Sequence, residues 1–296
     1  MIIVKLMGGL GNQMFQYAFG KAVSNKLNQS LYFDDFLLTR ISNTGNNTTP
    51  RRFELSLFPE VKIRKCTKIL DIIENKSSHF ISKLIRRFGL LKFIRQNENE
   101  FVMIENLKPY RINIVEGYFQ SQDYFNAFSD NIRLLFRFPE LDLHNNLLRD
   151  QLTSSESVAI HIRRGDYFSD IRTFQYHGIL PFGYYKNAIE LLKATQSDIT
   201  CFVFTDDVVW VKENFIPEYP EAIIIEGNSG AESWKDMALM TYAKHHIVSN
   251  SSFSWWGAWL SRKNGVKIAP KNWFNPLKTK FDINSIVPEN WTIIDC

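Results

Sequence analysis

Cysteine is scarce in this chain. The only three, Cys66, Cys201 and Cys296, lie far apart and form no metal-type pair. An odd number of scattered thiols fits a reducing compartment better than a disulfide scaffold. Long apolar runs are missing too: none reaches the roughly 20 residues that a bilayer-crossing helix needs. The opening Met1-Ile2-Ile3-Val4-Lys5-Leu6 reads as a strand, without the charged start and apolar stretch of a secretion signal. The expected location is therefore the cytoplasm, where triplets such as Asn47-Thr48-Thr49 and Asn250-Ser251-Ser252 carry no glycosylation meaning. Charge of one sign is also lacking. Lys and Arg number 35 against 31 Asp and Glu, and a net +4 is too small to point to nucleic acid. There is no internal repeat and no low-complexity tract.

What is present is an ordinary globular composition, 45% hydrophobic and 22% charged, over 296 residues. That length suggests about two domains with sizeable cores. Aromatics reach 14%, Phe foremost; such side chains line sugar sites but are more often core. Short β-branched runs alternate with helical patterns. Strands are expected at 2–6, 112–115, 158–162, 201–204, 222–225, 247–249 and 266–269. Helices are expected at 12–27, 184–193, 208–214, 234–243 and 253–260. This alternation predicts an α/β fold with parallel sheets and helices on both faces. The segment 142–157 is polar and turn-rich, which places a boundary between domains 1–150 and 151–296. The Asn- and Thr-rich stretch 42–52 reads as a loop.

Four motifs carry chemistry. Gly8-Gly9-Leu10-Gly11-Asn12-Gln13 follows a strand and opens a helix, where glycines admit a ligand close to the backbone and the helix start attracts negative charge. The last glycine of a dinucleotide fingerprint is missing, and a plain tight turn is the alternative. His161-Ile162-Arg163-Arg164-Gly165-Asp166-Tyr167 sits at a buried strand's carboxyl end, where open α/β sheets bind ligands. An arginine's planar fork suits a diphosphate. Asp166 is near enough to pair with an arginine, and a structural ion pair is the alternative. Phe204-Thr205-Asp206-Asp207 allows three readings: an acceptor for a guanine edge, a site for a divalent cation, or a helix N-cap. In Ser249-Asn250-Ser251-Ser252-Phe253-Ser254-Trp255-Trp256-Gly257-Ala258-Trp259 the helix start at Ser251 and Ser252 suits a phosphate, while the tryptophans read as core.

In this order, the four motifs resemble the α-1,2-fucosyltransferases of glycosyltransferase family eleven. Glu116-Gly117-Tyr118-Phe119-Gln120-Ser121 is similar to that family as well. The resemblance runs over nearly the whole chain. It implies an inverting enzyme of GT-B type with two Rossmann-like domains, the first on the acceptor side and the second binding GDP-β-L-fucose. It implies a galactose-terminated acceptor and an α-1,2 linkage, without cofactor or metal; the lack of an anchor or secretion signal suggests a bacterial-type enzyme building surface polysaccharide from the cytoplasmic side. Arg163 would neutralise the leaving diphosphate, with Arg164 beside it. His161 and one of Asp206 or Asp207 would contact guanine. Gly9, Gly11, Ser251 and Ser252 would serve the donor, and Asn12 would act from the first domain. One departure is Gly9, where related protein O-fucosyltransferases carry Arg. Asp166 is the candidate general base, with an arginine partnership as its other role.

Rival readings are a fucosyltransferase of another linkage (α-1,6 or O-fucose), a nicotinamide-dependent oxidoreductase, and a non-catalytic glycan-binding module. One stretch stands apart. Over 81–95, Ile81, Leu84, Ile85, Phe88 and Leu91 share a helical face, with Lys83, Arg86, Arg87, Lys92 and Arg95 largely off it. This predicts a basic amphipathic helix, either a surface cover or a peripheral contact with an anionic membrane at its inner face.

Overall fold

The computed structural model describes residues 1–38, 52–66, 88–96, 101–165, 171–196, 198–278 and 282–296. The chain divides into two compact units, Met1–Pro139 and Glu140–Cys296.

Unit 1 is built on a four-stranded parallel sheet of β1 (Ile2–Lys5), β2 (Leu31–Asp34), β3 (Leu91–Arg95) and β4 (Ile112–Glu116), in the order β2-β1-β4-β3. Every residue of β1 is buried: the apolar Ile2, Ile3 and Val4 as a central parallel strand requires, and Lys5 with Glu116 3.6 Å from its Nζ. Helix α1 (Leu10–Leu27) connects β1 to β2 and buries Met14, Phe15, Ala18, Phe19, Ala22 and Val23. Tyr17 stacks on Phe33 of β2 at 5.3 Å, and Phe19 stacks on Phe119 beyond β4 at 3.8 Å. A second helix, α2 (Ser129–Leu135), closes the unit.

The basic amphipathic helix expected over 81–95 is corrected here. Residues 81–87 lie outside the described residues, and Phe88–Gly89 form a turn. Leu91–Arg95 is strand β3, in parallel register with β4 from Leu91↔Ile112 to Arg95↔Glu116. Leu91 and Ile94 are the buried pair, and their three-residue spacing imitates a helical stripe. The hydrogen-bond partner that makes them a strand is remote in sequence, so periodicity alone misreads them. Arg95 is spent on Glu116 at 3.3 Å.

Unit 2 holds a six-stranded parallel sheet in the order β10-β9-β8-β5-β6-β7. Its strands are β5 (Glu156–Ile162), β6 (Ile199–Thr205), β7 (Ile223–Ile225), β8 (His245–Ile247), β9 (Lys267–Pro270) and β10 (Thr292–Ile294). Its helices are α3 (Leu143–Ser154), α4 (Ile171–His177), α5 (Phe182–Lys193), α6 (Val208–Trp210, continuing as a π-helical stretch Val211–Phe215), α7 (Trp234–Met240) and α8 (Ser252–Leu260). The segment read as turn-rich is thus mostly helix α3. Its polar residues include the N-cap Asp142, whose carboxylate accepts from Asn145 N at 3.0 Å.

Strand alternation splits the core over two faces of the sheet. Val158, Ile160 and Ile162 pack with Tyr184, Ile189, Leu192 and Phe215. Ala159, Phe202 and Phe204 pack with Leu152, Leu239 and Met240. Trp255 and Trp256 are fully buried, and Trp255 donates to Ile286 O at 2.9 Å, so these aromatics serve the core. No helix among the described residues is long and apolar enough to cross a membrane.

Candidate donor-binding site

Strand order changes direction at β5. From it the chain proceeds one way to β6 and β7, and the other way to β8, β9 and β10. In open parallel sheets the crevice beyond the carboxyl ends at such a switch point is where ligands bind. The three C-terminal motifs all arrive there, on the ends of β5, β6 and β8.

Register dictates the ion pairs. Ile162 lies opposite Thr205, so the next residues along each strand, Arg163 and Asp206, fall beside one another. Arg163 Nη1 meets Asp206 Oδ2 at 3.0 Å, with side chains 23% and 25% exposed. One step on, Arg164 Nε approaches Asp207 Oδ2 at 3.4 Å, while the Arg164 backbone N–H donates to Asp206 Oδ1 at 2.8 Å. Asp207 Oδ1 accepts from Trp210 N at 3.0 Å and so caps α6, the third of the roles open to this motif. All four carboxylate oxygens are therefore engaged. The Arg164 guanidinium also lies over the Trp210 ring, 4.2 Å from its centroid, which fixes it by cation–π attraction. Gly165 lets this packing close: a Cβ there would sit 2.8 Å from Asp206 Oδ2.

Asp166, expected as an arginine partner or base, lies outside the described residues. Among the described residues, Arg163 pairs with Asp206 and Arg164 with Asp207, as the β5–β6 register dictates.

On the β8 side, His161 Nδ1 and Ser249 Oγ are 2.7 Å apart across the switch point. The His161 ring also stacks on Phe253 of α8 at 5.7 Å. Burial, helped by the neighbouring Arg163 charge, lowers the His161 pKa to about 3, so the ring is neutral at physiological pH. Ser251 caps α8 by accepting from Phe253 N at 3.3 Å, and Ser252 opens its first turn. Asn250 Nδ2 donates to His177 O at 3.0 Å, tying this turn to the end of α4.

In unit 1, Gly9 is the N-cap of α1, and Gly11 and Asn12 lie in its first turn. Gly8 takes φ +77, and a Cβ there would fall 2.4 Å from Asn12 Nδ2, so this position admits only glycine. Two residues were given no role of their own in the sequence. Gln13, fully buried, donates to Gly8 O at 3.0 Å and to Arg52 O at 2.7 Å. Gln16, likewise buried, accepts from Met7 N at 3.0 Å and donates to Gly117 O at 3.1 Å. Two glutamines on the buried side of an apolar helix were the available signal, since buried amides must find partners. Trp210 offered none, because its arginine comes from a different strand end.

The architecture defines the class. Two parallel α/β units, the second presenting an arginine pair at its switch point, make this a fold of GT-B type. The particular family follows from comparison: the chain belongs to glycosyl transferase family 11, whose model matches residues 1–295. It is 32% identical over 311 residues to an α-1,2-colitosyltransferase of Escherichia coli, covering 99% of both chains. It is also 32% identical over 291 residues to the O-antigen biosynthesis glycosyltransferase WbnK of Escherichia coli, covering 91% of this chain and 93% of that one. Among solved structures, a mutant of Arabidopsis thaliana FUT1 in complex with GDP shares the fold, with a TM-score of 0.52 at 13% identity, over 100% of this chain and 76% of that one.

Proposed function

We propose that this protein transfers L-fucose from GDP-β-L-fucose to the 2-hydroxyl of a terminal β-galactoside, with inversion, forming an α-1,2 linkage in a surface polysaccharide. The observation that carries the reading is the arginine pair held by Asp206 and Asp207 at the switch point. Fucosyl transfer passes through an oxocarbenium-like state while negative charge grows on the departing GDP. A cation already fixed in place stabilises that charge without reorganising, and so favours the transition state over the ground state. Arg163 takes this role. Arg164, clamped between Asp207 and Trp210, keeps the strand end rigid beside it. His161, neutral and hydrogen-bonded to Ser249, meets guanine together with Asp206 or Asp207. The start of α8 at Ser251 and Ser252 supplies N–H groups toward the diphosphate.

In this scheme Arg163 and the start of α8 carry the phosphate charge, while Asp206 and Asp207 hold the arginines. Unit 1 serves the acceptor side, where Asn12 offers its amide to a sugar oxygen. The similarity to a colitosyltransferase supports a second donor, GDP-colitose, whose sugar is fucose without its 3-hydroxyl. The test is a transfer assay with GDP-fucose and GDP-colitose against a panel of galactosides, read by mass and linkage. Transfer of colitose but not fucose would overturn the donor. A product linked at any position other than the 2-hydroxyl of galactose would overturn the acceptor.

A further inference from the structure

We infer that Gln120 is a positioning residue that sets the Asn12 amide for the transfer reaction; the inference rests on the role proposed for Asn12. Gln120 Nε2 donates to Asn12 Oδ1 at 2.7 Å. The segment that delivers it is built at some expense. Phe119, one residue earlier, is fully buried at φ +52, a left-handed conformation rare and strained for a bulky aromatic. Several contacts enforce it. The Phe119 ring is stacked on Phe19 of α1 at 3.8 Å and meets Tyr124 edge-on at 5.9 Å. Gln96 Oε1 accepts from Tyr118 N at 3.1 Å and from Phe119 N at 2.7 Å. Gln16 of α1 holds the Gly117 carbonyl. Strand β4 pairs with β1 through Val4↔Val115, so this strained turn leaves the sheet beside the turn that opens α1.

Stability does not account for a glutamine here. Gln120 Oε1 is buried, and among the described residues it has no hydrogen-bond partner. An unpaired buried acceptor costs desolvation free energy that a methionine of similar length would avoid. What glutamine supplies is direction. An asparagine amide turns freely about its last bond, and a half-turn exchanges its oxygen for its nitrogen. A donor on Oδ1 selects one of the two orientations and leaves Nδ2 beside Gly8 as the donor for a sugar oxygen.

The experiment uses the full chain and compares Gln120→Met and Gln120→Glu with the parent, alone and with Asn12→Ala. Methionine keeps the volume without a donor; glutamate keeps the shape but only accepts. Both are expected to lower kcat for transfer by roughly 10- to 100-fold, as misplacement of a reacting group does. GDP affinity should stay unchanged, and the melting temperature of Gln120→Met should be equal or higher. In the Asn12→Ala background, Gln120→Met should have no further effect on kcat. Parental kcat in both single variants overturns the inference. So does a kcat loss that is multiplicative with Asn12→Ala, or one that follows a fall in melting temperature in both variants. A parent inert toward GDP-fucose defeats the proposed donor alone, and the same comparison is then made with the donor it uses.

Discussion

Replacing Arg163 by lysine separates catalysis from folding at the centre of the candidate site. The arginine meets Asp206 Oδ2 at 3.0 Å with both side chains about three-quarters buried. The proposed role asks one planar guanidinium to hold that carboxylate and to donate to a phosphate as well. An ammonium is a single mobile point of charge and does one or the other. The stability cost is small. Lysine keeps the charge, Asp206 Oδ1 retains the Arg164 backbone N–H, and partly exposed pairs contribute about 0–1 kcal/mol. That corresponds to a shift of no more than about 2–4 °C for a domain of this size. The catalytic cost is large. Removing one fixed charge stabiliser lowers kcat on the order of 10²–10³-fold, or about 3–4 kcal/mol in the transition state. Because charge on the leaving diphosphate grows toward the transition state, the loss falls on kcat at least as much as on KM. The assay is steady-state transfer from GDP-fucose with thermal unfolding on the same preparation. Near-normal kcat in Arg163→Lys would mean the catalytic centre is misassigned. A fall in melting temperature that accounts for the activity loss would make Arg163 structural.

Calorimetry should give GDP a Kd between about 1 μM and 1 mM, the usual range of KM values, with UDP and NAD much weaker; UDP as tight as GDP would refute the guanine assignment to His161 and Asp206 or Asp207. Transfer should persist in excess EDTA, since arginines and the α8 start carry the phosphate charge; loss of activity restored by Mg²⁺ or Mn²⁺ would refute this. Asp236 provides a pH test. Burial raises its pKa to about 7, with the hydrogen bond from the Asn228 amide acting the other way. The folded state then binds more protons than the unfolded one between about pH 4 and pH 7, so stability falls as pH rises through that window. Asp236→Asn should therefore raise the melting temperature by several degrees above pH 7 and leave it unchanged near pH 4, as scanning fluorimetry across that range would show. An equal effect at both ends would refute the assignment. His161 and His246, both lowered to about 3 by burial, act in the opposite sense in parent and variant alike and cancel from the comparison.

The sequence by itself determined the class of fold and pointed to the candidate site. Central strands of parallel sheets are buried on both faces, so 2–4, 158–160 and 201–204 appear as continuous apolar runs. Polar residues that break off such runs, His161-Ile162-Arg163-Arg164 and Thr205-Asp206-Asp207, then mark the carboxyl edge where ligands bind. Short edge strands were not legible in the same way. Leu31–Asp34, Leu91–Arg95 and Thr292–Ile294 owe their strand character to a neighbour supplied from elsewhere in the chain, and the basic stretch around Leu91 matched a helix as well as a strand. Only the tertiary structure decided which groups meet. It set Arg163 on Asp206 and Arg164 on Asp207 through the β5–β6 register, closed His161 against Ser249 across the switch point, and brought Gln120 to Asn12. Each of these pairings joins residues distant in sequence. Their geometry follows from strand order and register, which depend on all the strands at once and not on any local pattern.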